Sequence, residues 1–104
     1  WLDFTRVNLA GLSLSGVYIL WHGGPAPRVV RVGQGDIAAR LLAHRQNPQI
    51  TRYEAAGPLM VTWAGVPDAR MRAGIEKYLT SRLAPLIADR LEHGPSVKVR
   101  TPFG

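Results

Sequence analysis

Apolar and polar positions along this chain fall into short blocks whose period changes from one block to the next. Residues 14–21, Leu-Ser-Gly-Val-Tyr-Ile-Leu-Trp, are rich in branched and aromatic side chains and run into His22-Gly23-Gly24-Pro25, the pattern of a strand entering a turn. Residues 28–33, Arg-Val-Val-Arg-Val-Gly, alternate in part and predict a second strand, antiparallel to the first, with Val30 and Val32 on one side. Gly33-Gln34-Gly35 interrupts it, and Asp36 is placed to cap a helix over Ile37–Arg45 that Asn47-Pro48 stops. Ile37, Leu41 and Leu42 share one face of that helix, and Arg40 and His44, one turn apart, share another.

Leu59–Val66 reads as a third, largely buried strand, closed by Pro67 and followed by a second capping residue, Asp68. Met71, Ile75, Tyr78, Leu79 and Leu83 then recur at spacings of three and four, which predicts an amphipathic helix packed on the sheet. Pro85 should kink or restart this helix, because its ring lacks a backbone donor and clashes with the preceding turn. The second piece would run from Pro85 to about Glu92 and end at His93-Gly94-Pro95. Val97 and Val99 would form an edge strand or lie in a loose tail.

The order strand, strand, helix, strand, helix, helix is that of an α+β fold with helices layered on a small sheet. With 104 residues the chain has room for one hydrophobic core, so residues 1–104 are read as a single domain with its core at about 14–92 and a tail at 93–104. Apolar residues at 46% and charged ones at 19% exclude disorder, and no apolar run is long enough for a membrane span. The absence of Cys removes disulfide scaffolds, thiolate metal sites and cysteine nucleophiles, and cytoplasmic residence is the expectation. The chain opens at Trp1 without a Met, and is expected to be a domain excised from a larger chain with flanking domains. Thirteen Lys plus Arg against seven Asp plus Glu give a net charge of +6, and eleven of the thirteen are Arg, whose planar fork suits bidentate phosphate contacts.

Four features occur in register with these elements: Gly16-Val17-Tyr18 on the first strand, Arg31-Val32-Gly33 on the second, Arg40-Leu41-Leu42-Ala43-His44 on the first helix, and Glu76 on the long helix. Together, over about residues 15–85, they resemble the GIY-YIG nucleases. That family includes the excision nuclease subunit of bacterial nucleotide excision repair, homing endonucleases and restriction enzymes. The resemblance implies a three-stranded antiparallel sheet flanked by helices, and a function in cleaving phosphodiester bonds of nucleic acid, DNA ahead of RNA, in repair or restriction. Two positions depart from the family pattern: the Tyr that opens its second motif is Arg31 here, and the Asn expected shortly after Pro85 is absent.

Carried onto this sequence, the resemblance gives Glu76 as the ligand of one Mg²⁺ or Mn²⁺, an ion that accepts a single carboxylate and takes its remaining ligands from water and phosphate. It gives Arg40 as the guanidinium that meets charge developing on the phosphate oxygens. Tyr18, with His44 one turn after Arg40, would orient or deprotonate the attacking water. Arg31 cannot act as a base near neutral pH, but it can hold a phosphate; Gly33 lets substrate approach, and Arg45 is a further phosphate contact. Read without the family, Glu76 is a helix flank that pairs with Arg72 or Thr80, Tyr18 is a core strand residue, and Arg31 is a charged hairpin edge. The alternative function is a catalytically silent module of this type that binds nucleic acid or protein within a larger chain.

Overall fold

The apolar run that starts at Ser15 forms the central strand of an antiparallel sheet. In the computed structural model, which describes residues 2–87, the elements are β1 (Leu2–Asp3), β2 (Ser15–His22), β3 (Arg28–Asp36), α1 (Ile37–Arg45), α2 (Pro48–Thr51), a 3₁₀ turn (Arg52–Ala55), β4 (Leu59–Gly65) and α3 (Ala69–Leu83). The sheet order is β1-β4-β2-β3, every neighbouring pair being antiparallel. The α+β class and the hairpin are as the sequence predicts, but the sheet has four strands and not three. The added strand, β1, pairs Leu2 with Val61 and Asp3 with Met60. Two residues are too few to display a period, so no pattern announced it.

Tyr18, Leu20, Leu59 and Val61 project from one face of the sheet into a core completed by Ile37 and Leu41 of α1, Ile50 of α2, and Phe4 and Leu9 from the N-terminal segment. Each such aliphatic side chain contributes about 1.5–3 kcal/mol on burial. The opposite face, which carries Val17, Val32 and Gln34, receives α3, which packs on β3 and β2. A bulge divides the two strands of the hairpin: Leu20 stands opposite Arg31, whereas Trp21 stands opposite Val29. The extra residue, Val30, joins the core beneath α1, while Val32 pairs with Ile19 on the α3 side. The expectation that Val30 and Val32 share a side is therefore corrected; one inserted residue breaks the two-residue period.

Helix starts follow their caps. The Asp36 carboxylate accepts from Ala39 N at 3.1 Å, and Asp68 accepts from Arg70 N at 2.8 Å and Met71 N at 3.2 Å. Asn47-Pro48 ends α1 as expected and also begins α2, because Asn47 Oδ1 accepts from Gln49 N and a proline at the first helical position needs no donor. The chain after α3 departs from expectation. The helix stops at Leu83, Ala84 turns into the left-handed region (φ 47°) with its N–H on Thr80 O, and Leu86 and Ile87 donate to the carbonyls of Val29 and Val30. Residues 84–87 are not helical; the remainder of the expected helical piece to Glu92, the tail at 93–104 and the strand at Val97 and Val99 lie outside the described residues. Among the described residues no helix is long and apolar enough to cross a membrane.

The rotation of α3 is a second correction. Ile75 and Leu79 lie toward the sheet as expected, but Met71, Tyr78 and Leu83 are exposed, and the sheet-facing rows are completed by Arg72, Glu76 and Thr80. The cause is polar. Arg72 Nε donates to Gln34 Oε1 at 3.0 Å, and its Nη1 donates to the carbonyls of Val66 and Pro67 at 3.0 and 2.8 Å, which turns this flank of the helix inward.

Candidate functional site

Tyr18, His44 and Arg40 lie around three consecutive positions at the end of β3, Gly33-Gln34-Gly35. In the ladder, Gly33 stands opposite Tyr18, and Tyr18 stands opposite Trp63. A Cβ on Gly33 would overlap the phenol of Tyr18, the hydroxyl first, so the missing side chain is the space in which that hydroxyl lies. There the Tyr18 hydroxyl meets His44 Nε2 at 2.5 Å, with the rings tilted by 58° and their centroids 5.5 Å apart. If His44 carries its ring proton on Nδ1, the phenol donates; if on Nε2, it accepts. The pair is buried, Tyr18 being 1% exposed and His44 7%.

Two residues along, Gly35 has φ +128°, a conformation that favours glycine, and the Arg40 arm lies over it: a Cβ there would come within 3.3 Å of Arg40 Nε. Arg40 is exposed and stands one helical turn before His44, so α1 presents both to the same end of the sheet. Gly35 also opposes Gly16, which opposes Gly65, so three glycines cross β3, β2 and β4 in one row next to Tyr18. The row is covered by its neighbours, Gly65 by the Leu14 side chain and Gly35 by Arg40, so the missing side chains let these groups close on the sheet beside the Tyr18–His44 pair. At Gly16 the close approach is obligatory, because a Cβ would overlap the Ala64 carbonyl.

Gln34, between the two glycines, points to the other face, where it holds Arg72. Glu76 follows Arg72 by one turn on the side of α3 that faces the sheet, and is half-buried. Tyr18, His44, Gly33 and Arg40 thus come to one end of the sheet on its α1 face, whereas Glu76 lies with α3 on the opposite face, so the structure does not bring Glu76 together with them. Among the described residues no group of three or more His, Asp or Glu side chains could hold a metal ion. Glu76 contributes one carboxylate, the least that Mg²⁺ or Mn²⁺ require from a protein, since these ions keep several waters and take further ligands from phosphate.

Arg31 is 7% exposed, which removes the reading of a solvent-facing charged hairpin edge. It lies next to the bulged Val30 and two residues before Gly33. Arg45, expected to contact substrate, is turned inward instead. Its Nε and Nη2 donate to Phe4 O at 3.0 and 2.9 Å, its Nη2 also to Val7 O at 2.5 Å, and the guanidinium lies over the Phe4 ring. It ties the N-terminal segment to α1. His22, read from the sequence as the start of a turn, is buried at the far end of β2 and stacks within 4° of parallel on Tyr53. Alternation on β2 places it on the same face as Tyr18 and Leu20, the one signal that pointed inward.

Compared with known proteins, the chain matches no family model, no curated protein and no solved structure.

Proposed function

We propose that this domain is a divergent relative of the GIY-YIG nucleases that hydrolyses phosphodiester bonds of nucleic acid with the help of one divalent metal ion. The observation that carries the reading is the buried Tyr18–His44 hydrogen bond set over Gly33, because it joins three of the motif positions into one unit at the foot of Arg40. Tyr18 acts through His44: the bond fixes the imidazole, and in the tautomer whose Nε2–H donates to the Tyr18 hydroxyl, Nδ1 is the atom that takes the proton of the water as it attacks phosphorus and returns it to the leaving oxygen. Arg40, exposed and lying on Gly35, meets the negative charge that grows on the phosphate oxygens, which a planar guanidinium can do bidentately. Glu76, on the α3 side of the sheet, is the carboxylate that the resemblance offers to Mg²⁺ or Mn²⁺, and such an ion would supply charge neutralisation to a phosphate that reaches that side.

Burial of the Tyr18 hydroxyl and the presence of Arg31 in place of the family's second Tyr favour one other reading, a module that binds nucleic acid without cutting it. One assay separates them. Single-stranded, duplex and branched DNA and RNA are incubated with and without Mg²⁺ or Mn²⁺, using Glu76→Ala as the control. Metal-dependent cleavage lost in Glu76→Ala supports the enzyme; salt-dependent binding with no cleavage on any substrate supports the silent module.

A further inference from the structure

The outer face of α3 is unusual for a helix packed on a sheet, since none of its 15 residues is fully buried and two large apolar side chains, Met71 and Tyr78, are 60% and 59% exposed. At 3.6 residues per turn its exposed positions sort into three rows. One flank holds Arg70 and Lys77, seven residues apart; the other holds Met71, Tyr78 and Arg82; the rows between them hold only the small residues Gly74 and Ser81. Gly74 borders open space. The Arg82 guanidinium stands 5.7 Å over the Tyr78 ring, with its Nη1 3.4 Å from the Tyr78 hydroxyl, so this cation is set in place by an aromatic platform. Among the described residues of α3 and its cap no carboxylate interrupts the face: Asp68 is engaged in capping, and Glu76 lies on the sheet side.

We infer that this face is a docking surface for the backbone of a nucleic-acid duplex. The occupant is chosen by charge. Three exposed cations spread over about 18 Å, at 1.5 Å per residue from position 70 to position 82, match a rod that carries one charge per about 3.4 Å on each strand. A shallow central row of small residues admits the sugar-phosphate ridge between the two flanks, and Tyr78 supplies an apolar contact to deoxyribose. The same helix carries Glu76 on its inner, sheet-facing side, so this surface is a binding face separate from the Tyr18–His44 pair on the other face of the sheet. This inference rests on the reading that the domain acts on nucleic acid, and adds where and in what form the substrate binds.

The test measures binding apart from chemistry. Anisotropy of a labelled duplex of about 20 base pairs is followed in EDTA from about 50 to 200 mM NaCl, for wild type and for the triple variant Arg70→Ala, Lys77→Ala, Arg82→Ala. All three positions are exposed, and a thermal melt confirms that the variant folds. Loss of three phosphate contacts should lower the slope of log K against log salt by about 2.7 on duplex DNA. The charge-conserving variant Arg70→Lys, Arg82→Lys should keep the slope near the wild-type value. An unchanged slope in the folded triple variant, or wild type that binds no duplex at low salt, overturns the inference. Binding to anionic phosphatidylserine vesicles that depends on these residues while duplex is ignored overturns it in favour of a membrane surface. Duplex binding that falls as expected, in a protein that cleaves nothing when metal is restored, upholds this surface and removes the nuclease reading.

Discussion

The hydroxyl of Tyr18 lies where a side chain on Gly33 would have to be. That relationship gives the second glycine of the motif a steric task that any larger residue fails. Gly33→Ala is expected to destabilise the fold by about 1–3 kcal/mol, the range for overpacking a filled core, and to push the phenol off His44. Urea denaturation measures the first effect and the His44 ring resonances the second; wild-type values in both would refute this account of Gly33.

Removing only the hydroxyl is a finer probe. Tyr18→Phe keeps the ring and takes away the bond to His44 Nε2, for an expected loss of about 1–3 kcal/mol. If Tyr18 serves His44 in proton transfer, the pH profile of metal-dependent cleavage should shift as well as its amplitude. A loss of stability with an unmoved profile would leave Tyr18 as a packing residue.

Arg31 stands where the GIY-YIG nucleases, the proposed relatives, have a Tyr, and the difference can be reversed. Arg31→Tyr should raise metal-dependent cleavage, because it restores a phenol at the position where the family has one. The measurement is kcat under single-turnover conditions, and a drop in kcat with stability intact would assign Arg31 a role of its own.

Ala84 occupies a left-handed conformation that suits glycine. Ala84→Gly should stabilise the protein by about 0.5–1 kcal/mol, since the relief of Cβ strain outweighs the added freedom of the unfolded chain. A melting temperature raised by several degrees is the readout, about 4–8 °C per kcal/mol in a domain of this size.

Asp3 offers a pH effect of known sign. Hydrogen bonds from the Thr5 side chain and backbone hold its carboxyl below the usual 3.8. A group whose pKa is depressed by folding contributes stability above that range and loses it as pH falls through the folded value. The turn over Asp3–Thr5 should therefore loosen only below pH 3.8, and a titration of the Asp3 carboxyl carbon by NMR should show its midpoint there; Thr5→Ala should bring it back up.

How much of this was legible in advance depended on whether a feature is local. The hairpin, α1 and β4 follow from period, turn residues and caps within ten positions of each other, and the sequence locates them closely. β1 and the inward turn of Arg45 are not local: Leu2 meets Val61 and Arg45 meets Phe4, and only the closed fold creates those partners. The rotation of α3 was misread because hydrophobic spacing alone sets Met71, Tyr78 and Leu83 inward, whereas the Arg72 contacts to Gln34, Val66 and Pro67 decide the matter. At the site, Tyr18 and His44 were selected 26 positions apart and meet. The glycine row was out of reach because it needs the register of three strands.

The short β1 at one margin of the sheet and the Leu86 and Ile87 amides on β3 at the other have a consequence for solubility. A sheet with open margins invites a second sheet to join it strand to strand, and these two devices oppose that growth from both sides. A chain cut back to Leu83 would bare the Val29 and Val30 carbonyls on the edge strand, so residues 84–87 close a margin at which another strand could pair.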